Sequence, residues 1–156
     1  MFSELVNTRD AAFILDLKET ELAEIVASDQ VRPASSDRNG DLFLVRDLAM
    51  LRLAQIIESL GVDRAKALRY SEAVLAQRLS THDKNALDWV ENETQELFCL
   101  ISDGQLARIF LRNKEDSKEM DVGAVKPVLL PITRSEVNVF RAIRPVLLRA
   151  IQVLGQ

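Results

Sequence analysis

The chain has 156 residues, of which 47% are hydrophobic and 28% are charged, with only five glycines and four prolines. This composition is typical of a globular protein of one or two small domains, and it excludes a collagen-like or disordered chain. The net charge of −4 is unevenly distributed, with −5 in each of residues 1–30 and 81–122, +2 in residues 31–80 and +4 in residues 123–156, so the chain lacks the broad positive excess of a protein that coats nucleic acid non-specifically.

The cellular compartment is indicated by cysteine usage and hydropathy. Cys99 is the only cysteine, so no internal disulfide can form and we expect a reducing, cytoplasmic environment. Charged residues interrupt the apolar residues of Met1–Leu17, so this segment lacks the apolar core of a signal peptide. No later apolar run approaches the roughly 20 residues of a membrane helix. We therefore expect no signal peptide and no membrane contact.

The stretch from Thr8 to Val45 begins with a predicted pair of short helices. Asn7 is a good N-cap for a first helix of about two turns. Asp16 stands where a turn is needed, and the apolar spacing predicts a second helix that starts near Lys18 or Glu19. Two helices this short are unstable alone, so they must share a core.

A hairpin is predicted after these helices. The polar segment ASSDRNGD separates Val31–Pro33 from Leu42–Val45, and it contains the pair Asn39 and Gly40. This pair favours a tight hairpin turn because both residues tolerate positive φ. Two helices, a turn and this hairpin together outline a winged helix-turn-helix.

Longer helices are predicted next. Asp47–Leu60 has a broad apolar stripe and is followed by Gly61, a natural residue after a helix end. Asp63 can cap a fourth helix, and Asp83–Glu93 is predicted to be a further, shorter helix.

The last part of the chain is predicted to contain β-structure. Leu97–Ile101 and Leu106–Leu111 flank an Asp103-Gly104 turn, the segment NKEDSKEMD is expected to be a loop, and Val125–Ile132 is a predicted third strand. A C-terminal helix is expected from Thr133 or Ser135 to about Leu154, kinked or divided at Pro145.

These elements predict a fold of the α+β class that is mostly α. It consists of a winged helix-turn-helix, a small antiparallel β meander and a C-terminal helix. The change from helical to β-like sequence predicts a domain at residues 1–80 and an assembly or partner-binding region at residues 81–156.

Three segments between Thr8 and about Leu79 resemble the DNA-binding domain of the mercury-resistance-regulator (MerR) family in their order and spacing: AAFILDLKETEL, SDQVRP and GDLFLVRDLAMLRLAQIIESLGV. The resemblance implies a winged helix-turn-helix that binds double-stranded DNA and regulates transcription. Two places depart from the family pattern. Ala23, Glu24 and Ile25 stand where an arginine and aromatic residues are common, and Asp29 replaces the usual glycine.

The candidate DNA contacts lie at the second helix and on or beside the wing. Side chains at the start of the second helix reach base edges in helix-turn-helix proteins, whereas wing side chains are expected to contact phosphates. The candidates are Lys18, Thr20 and Glu21 in the helix, and Arg32, Arg38, Asn39 and Arg46 at the wing.

Several of these charges have a second interpretation. Glu19, Glu21 and Glu24 would repel phosphate, although a glutamate can accept a hydrogen bond from cytosine, and acidic residues also stabilise a helix N-terminus through its dipole. A basic cluster after the third helix either extends the phosphate contacts or is a solvated helix face. This cluster consists of Arg64, Lys66 and Arg69.

The C-terminal helix is predicted to be amphipathic. Its apolar side is the candidate dimer or partner surface, and the basic side carries Arg134, Arg141, Arg144 and Arg149. The apolar residues are Val137, Phe140, Ile143, Leu147 and Ile151. They can pair with a second copy, dock an acidic partner or pack on the chain's own sheet. A homodimer is attractive because helix-turn-helix proteins usually read two half-sites.

No catalytic site, metal site or cofactor is expected. His82 has no second histidine or paired cysteine, so neither a zinc site nor a histidine-centred triad can be assembled. Cys99 lies between apolar residues and is expected to be buried, and Trp89 is expected to be a packing anchor. Glu115, Asp116 and Glu119 are expected to be solvated in a charged loop.

The sequence therefore predicts a cytoplasmic, homodimeric, MerR-like regulator of transcription that binds DNA and is not an enzyme. A variant of this hypothesis is the antitoxin of a toxin-antitoxin pair, whose C-terminal part would hold the toxin. The alternative is a winged-helix module that binds only proteins, which the acidic second helix favours.

Overall fold

The computed structural model describes residues 2–79 and 94–155, with side chains described except at positions 77–79. The predicted helix Asp83–Glu93, with His82 and Trp89, lies outside these residues. The described chain is α+β, with five helices and two antiparallel sheets. None of these helices is long and apolar enough to cross a membrane.

The N-terminal half contains four helices and a three-stranded sheet. In chain order the elements are β1 (Leu5–Asn7), α1 (Thr8–Leu15), α2 (Glu19–Ala27), β2 (Ser35–Asp37), β3 (Gly40–Leu44), α3 (Val45–Glu58) and α4 (Arg64–Leu79). The strands are ordered β1-β3-β2, and each pair is antiparallel. The sequence did not predict β1, which has only three residues and owes its pairing to β3.

The predicted first helices and their turn are confirmed. The side-chain oxygen of Asn7 accepts a hydrogen bond from the backbone N–H of Asp10 at 2.9 Å and so caps α1. Asp16 ends the helix in the left-handed region with φ +57°, which redirects the chain into α2. Leu22 is fully buried between these elements and the rest of the core.

The hairpin forms, but its first strand and turn differ from the prediction. The first strand is β2 rather than Val31–Pro33, and the register pairs Asp37 with Gly40, so the turn residues are Arg38 and Asn39. The Asp37 carboxylate accepts the Asn39 backbone N–H at 2.7 Å, which fixes this turn. Gly40 then carries the positive φ of +110° as the first residue of β3.

Helix α3 begins at Val45, two residues earlier than predicted. The backbone N–H groups of its first two residues donate to the carbonyls of Glu4 and Phe2, at 3.1 Å each. The N-terminal segment therefore caps α3 in place of a side chain. Helix α4 has the predicted cap, because Asp63 accepts a hydrogen bond from the Lys66 backbone N–H at 3.0 Å.

The described residues of the C-terminal half, 94–155, form four strands and one helix. They are β4 (Gln95–Ser102), β5 (Gln105–Asn113), β6 (Glu119–Asp121), β7 (Arg134–Asn138) and α5 (Val139–Leu154), which is the fifth described helix. The strand order is β6-β5-β4-β7, with neighbours antiparallel. The predicted β4–β5 hairpin with its Asp103-Gly104 turn is confirmed.

Two predictions about strands are wrong. Val125–Ile132 is not a strand: Pro127 and Pro131 cannot donate to a ladder, and Leu130 has φ +49°, which a strand does not allow. The segment predicted to be a charged loop contains β6, which pairs with β5 through residues 110–112.

Helix α5 starts later than predicted because residues 134–138 pair with β4 as β7, so Arg134 and Val137 lie in this strand and not on the helix as predicted. Asn138 is its N-cap and accepts a hydrogen bond from the Arg141 backbone N–H at 3.1 Å. The helix continues through Pro145, in its second turn, to Leu154, so of the two predicted effects of this proline the division of the helix does not occur.

One main core joins the two halves of the described chain. Helix α5 packs on α1 and α3 and buries Ile143 and Leu147 completely. The inner face of the four-stranded sheet adds Leu97, Cys99 and Ile109 to the same cluster. The predicted units 1–80 and 81–156 therefore share their hydrophobic core.

Candidate nucleic-acid interface

The start of α2 presents the predicted helix residues to solvent. Lys18 is the N-cap residue, and both it and Thr20 are exposed. The Glu21 carboxylate accepts a hydrogen bond from the Lys18 backbone N–H at 3.1 Å. Glu21 therefore stabilises the start of its own helix, which is the interpretation of this residue that does not require DNA.

The tip of the β2–β3 hairpin lies entirely at the surface. All three residues of β2 are exposed, as are Arg38 and Asn39 in the turn. The hairpin is held by its backbone pairs and by polar contacts such as Ser36 Oγ to Asp41 Oδ1 at 2.6 Å. Because the tip buries no apolar side chain, it adds little to the stability of the core.

The other predicted wing arginines are ion-paired. Arg32 lies 3.5 Å from Asp29, and Arg46 lies 3.7 Å from Asp47. The Arg32–Asp29 pair is exposed and therefore weak, so a phosphate can compete with Asp29 for Arg32, whereas the Asp47 side chain is largely buried. Within the described residues, Arg38 is the wing arginine with no ion pair.

The basic cluster at the start of α4 is mostly neutralised by its neighbours. Arg64 lies 3.4 Å from Glu58, and Lys66 lies 4.0 Å from Asp63. These contacts fit a solvated helix face better than an extended phosphate track.

A cavity of about 380 Å³ lies beside this surface, between the segment that follows α2 and helices α3 and α4. Its apolar lining is Val31, Met50, Leu51 and Leu68; its polar lining is Asp29, Gln30, Arg32, Asp47, Arg69 and Glu72. Burial raises the pKa of Asp47, a shift that Arg46 opposes and the charge of Glu72 reinforces. The sequence did not indicate this cavity, since its walls come from separate elements.

The predicted apolar contact residues of the C-terminal helix lie inside the chain's own core. Ile143 and Leu147 are 0% exposed, Phe140 is 5% exposed and Val137 is 7% exposed. Ile151 is partly buried. The single chain does not present this face to a dimer or protein partner, because α1, α3 and the sheet already cover it.

The basic side of α5 is divided between surface and structure. Arg141 and Arg144 are exposed. Arg149 lies 3.6 Å from Asp16 and donates to the Ile14 carbonyl at 3.5 Å, so it joins α5 to the end of α1.

An aromatic pair on the outer face of the second sheet was not predicted. The rings of Phe98 and Phe110 stack with their centroids 5.5 Å apart. The Arg108 guanidinium lies 4.1 Å from the Phe110 ring centroid, and that of Arg112 lies 4.4 Å from Phe98. The signal in the sequence is the alternation of Arg108, Phe110 and Arg112 along one strand.

The same two arginines are bound by carboxylates of β6, the neighbour of β5, and Arg112 is also bound by a carboxylate of β7, which lies on the far side of β4. Arg112 donates to Glu119 at 2.6 Å and to Glu136 at 2.9 Å, while Arg108 donates to Glu119 at 2.7 Å and also to Asp121. Hydrogen bonds to these arginines lower the pKa of Glu119. Glu119 is exposed, as predicted, but it lies in a strand and not in a loop, and its bonds to these arginines stabilise the sheet.

An exposed apolar loop precedes β7. Leu129, Leu130 and Ile132 are 85%, 95% and 93% exposed. The Asp103 carboxylate anchors the end of this loop by accepting the backbone N–H groups of Ile132 and Thr133, at 3.1 and 2.9 Å. These bonds, with the Thr133 backbone first, lower the pKa of Asp103.

The described residues contain no group of three or more side chains that could hold a metal ion. Cys99 is buried as predicted, and burial raises the pKa of its thiol to about 12. A thiol with this pKa is not a nucleophile at neutral pH. In the comparisons, no family model matches the chain, and no curated protein shows significant similarity to it.

Proposed function

We propose that the protein is a cytoplasmic, homodimeric regulator that binds double-stranded DNA through a winged helix-turn-helix. Helices α1 and α2 would form the helix-turn-helix, and the β2–β3 hairpin would be the wing. The start of α2, with Lys18 and Thr20, would face the bases, and Arg38 at the hairpin turn would contact phosphate.

The observation that supports this proposal best is the surface hairpin tip. It follows two helices joined by a turn and buries no apolar side chain, and its turn carries Arg38, which has no ion pair among the described residues. A hairpin tip that contributes little to the core is best explained by contact with another molecule. The positive charge of Arg38 at this tip suits contact with a phosphate backbone.

The experiment is a selection of binding sites from random double-stranded DNA with the full-length protein at low salt. The proposal expects enrichment of a sequence, and for a homodimer we expect two related half-sites. No enrichment by a folded protein would overturn it.

The role of Arg38 is tested on the selected DNA. Arg38→Ala should weaken binding and reduce the slope of log K against log salt by about 0.9, the value for one phosphate contact. The matched control is Arg144→Ala, which removes another exposed arginine, from α5. Equal salt slopes for the two variants would reject Arg38 as a phosphate contact.

A second candidate function is protein binding without DNA, and the exposed apolar loop favours it. Three large apolar side chains on one anchored loop are unusual at the surface of a monomer and are typical of a protein contact. An antitoxin would combine both activities, with DNA at the wing and a toxin at the C-terminal half. Failure to enrich any DNA, together with a complex that Leu130→Asp disrupts, would favour the protein-binding module.

A further inference from the structure

The four-stranded sheet of the described chain ends in two edge strands, β6 and β7. An edge strand leaves half of its backbone N–H and C=O groups unpaired within the sheet, so a further strand can bind there. All three residues of β6 are exposed, and in β7 the exposed residues are Arg134 and Glu136. This sheet can therefore be extended at either of two edges.

The backbone of β7 directs its hydrogen-bonding groups alternately toward β4 and away from it. The Thr133 carbonyl accepts the Asp103 backbone N–H at 3.3 Å, so the groups of this residue face β4. The alternation of an antiparallel ladder then directs the N–H and C=O groups of Arg134 and Glu136 to the outer edge. These are the groups that a further strand would bond.

The same two residues carry opposite charges on one face of the sheet, because side chains two positions apart along a strand point the same way. Glu136 is half-exposed although Arg112 lies 2.9 Å from it. Arg134 is exposed and has no ion pair among the described residues. If two copies of β7 pair antiparallel about Ser135, Arg134 of each copy lies opposite Glu136 of the other.

This register satisfies both the backbone and the charges. A pair centred on Arg134 or Glu136 places that charge opposite its own copy, which is destabilising. A pair centred between two residues sets the outer face of one sheet against the inner face of the other. Strand β6 fails the same comparison, because a pair centred on Met120 places Glu119 opposite Asp121. Of the two edges, β7 alone is complementary to itself.

The exposed apolar loop lies beside this edge. Ile132 is 93% exposed, and the Asp103 carboxylate holds its backbone next to the start of β7. In the register centred on Ser135, residue 132 of one copy lies opposite residue 138 of the other, where α5 begins. Association would therefore remove Ile132 and its apolar neighbours partly from water, which is favourable.

We propose that the protein forms a two-fold homodimer in which the β7 strands pair antiparallel about Ser135 and join both four-stranded sheets into one. Backbone hydrogen bonds and side-chain ion pairs link Arg134 of each copy to Glu136 of the other. This arrangement is isologous, as a closed dimer requires. The inference rests on the homodimer of the proposed function and names its surface, and it does not depend on DNA.

A disulfide crosslink tests the register in the full-length protein. Opposite residues in a non-hydrogen-bonded antiparallel pair have Cα atoms about 4.5 Å apart, a distance that a disulfide spans. Ser135→Cys should therefore give a covalent dimer under mild oxidation, while the native Cys99 is buried and does not compete. The matched control is Ser36→Cys, the same substitution in β2, an edge strand of the other sheet, which should crosslink far less. Equal crosslinking of the two variants, or none in a folded Ser135→Cys, would overturn the register.

Charge variants test the pairing through the mass of the native protein, measured by light scattering at low salt. Arg134→Glu and Glu136→Lys each place like charges opposite one another, so each variant alone should dimerise about tenfold more weakly. Mixing the two variants restores both ion pairs, so a heterodimer should form. The matched control is Arg144→Glu, at an exposed position of α5, which should leave dimerisation unchanged. Equal effects of Arg134→Glu and Arg144→Glu, or a mixture that does not associate, would contradict the pairing.

Failure of this inference can be distinguished from failure of the proposed function. A protein with the mass of a monomer overturns the inference and the homodimer, while the selection experiment still decides DNA binding. A dimer that Arg134→Glu does not weaken and Ser135→Cys does not crosslink overturns the inference alone. A dimer joined through β7 that selects no DNA leaves the inference standing and removes the DNA-binding function.

Discussion

The location of α5 in the shared core can be tested with two adjacent leucines. Leu147 is 0% exposed and Leu148 is 44% exposed, although both lie in the same turn of α5. Replacing each leucine by alanine makes the same chemical change and gives nearly the same gain in helix propensity. The difference between the two variants therefore reports the burial of Leu147 against the core.

The size of this difference follows from the burial of the two side chains. Truncating a fully buried leucine to alanine costs about 2 to 5 kcal/mol, because transfer energy is lost and a cavity remains. The half-exposed Leu148 should cost less than about 1 kcal/mol. For a chain of this size, each kcal/mol lowers the Tm by roughly 2 to 4 °C, so Leu147→Ala should lower it by roughly 4 to 20 °C.

The measurements are thermal and urea unfolding followed by circular dichroism, together with the mass of the native protein by light scattering. We expect Leu147→Ala to lower the midpoint and leave the oligomeric state unchanged. Equal stability of the two variants would refute the burial of Leu147 in the chain's own core, and so would dissociation of an oligomer by Leu147→Ala without a loss of subunit stability. The second result would return Leu147 to the partner surface that the sequence predicted.

Three other predictions concern single groups. Cys99 should resist thiol reagents at pH 8 in the native protein, because its pKa is raised to about 12, and react on unfolding; rapid native modification would contradict its burial. The pKa of Asp103 is lowered from 3.8, so its hydrogen bonds to the apolar loop should persist at neutral pH and be lost only below pH 3.8. NMR titration of the Ile132 amide should therefore give a midpoint below pH 3.8. This transition should be absent in Asp103→Asn. A midpoint at or above 3.8 would reject this anchor. Arg112→Lys should destabilise the protein by about 1 kcal/mol in denaturant unfolding, because lysine lacks the planar guanidinium that binds Glu119 and Glu136 together. The same substitution at the exposed Arg141 should have no effect. Equal stabilities of the two variants would contradict the role of Arg112.

The candidate site was only partly predictable from the sequence. The position of Arg38 near a hairpin turn follows from the polar segment between two apolar runs. The turn itself lies one residue earlier than predicted, at Arg38 and Asn39. The cavity was not predictable, because Val31, Asp47 and Leu68 belong to three elements whose contact depends on how helices pack. The burial of Phe140 and Leu147 likewise depends on α1 and α3, since an apolar helix face can be covered by the same chain or by another one.

The sequence by itself determined the elements whose signals are local. Asn7 and Asp16 bound α1, Asp63 caps α4, and Asp103 with Gly104 turns the β4–β5 hairpin, because each signal acts within a few residues of chain. Only the tertiary structure decided the elements that depend on distant partners. Helix α3 starts where the N-terminal segment supplies carbonyls to it, and β6 forms where Glu119 meets two arginines of β5. A cap or a turn is stabilised by neighbouring residues, whereas an edge strand or a buried face is stabilised by residues that folding brings together.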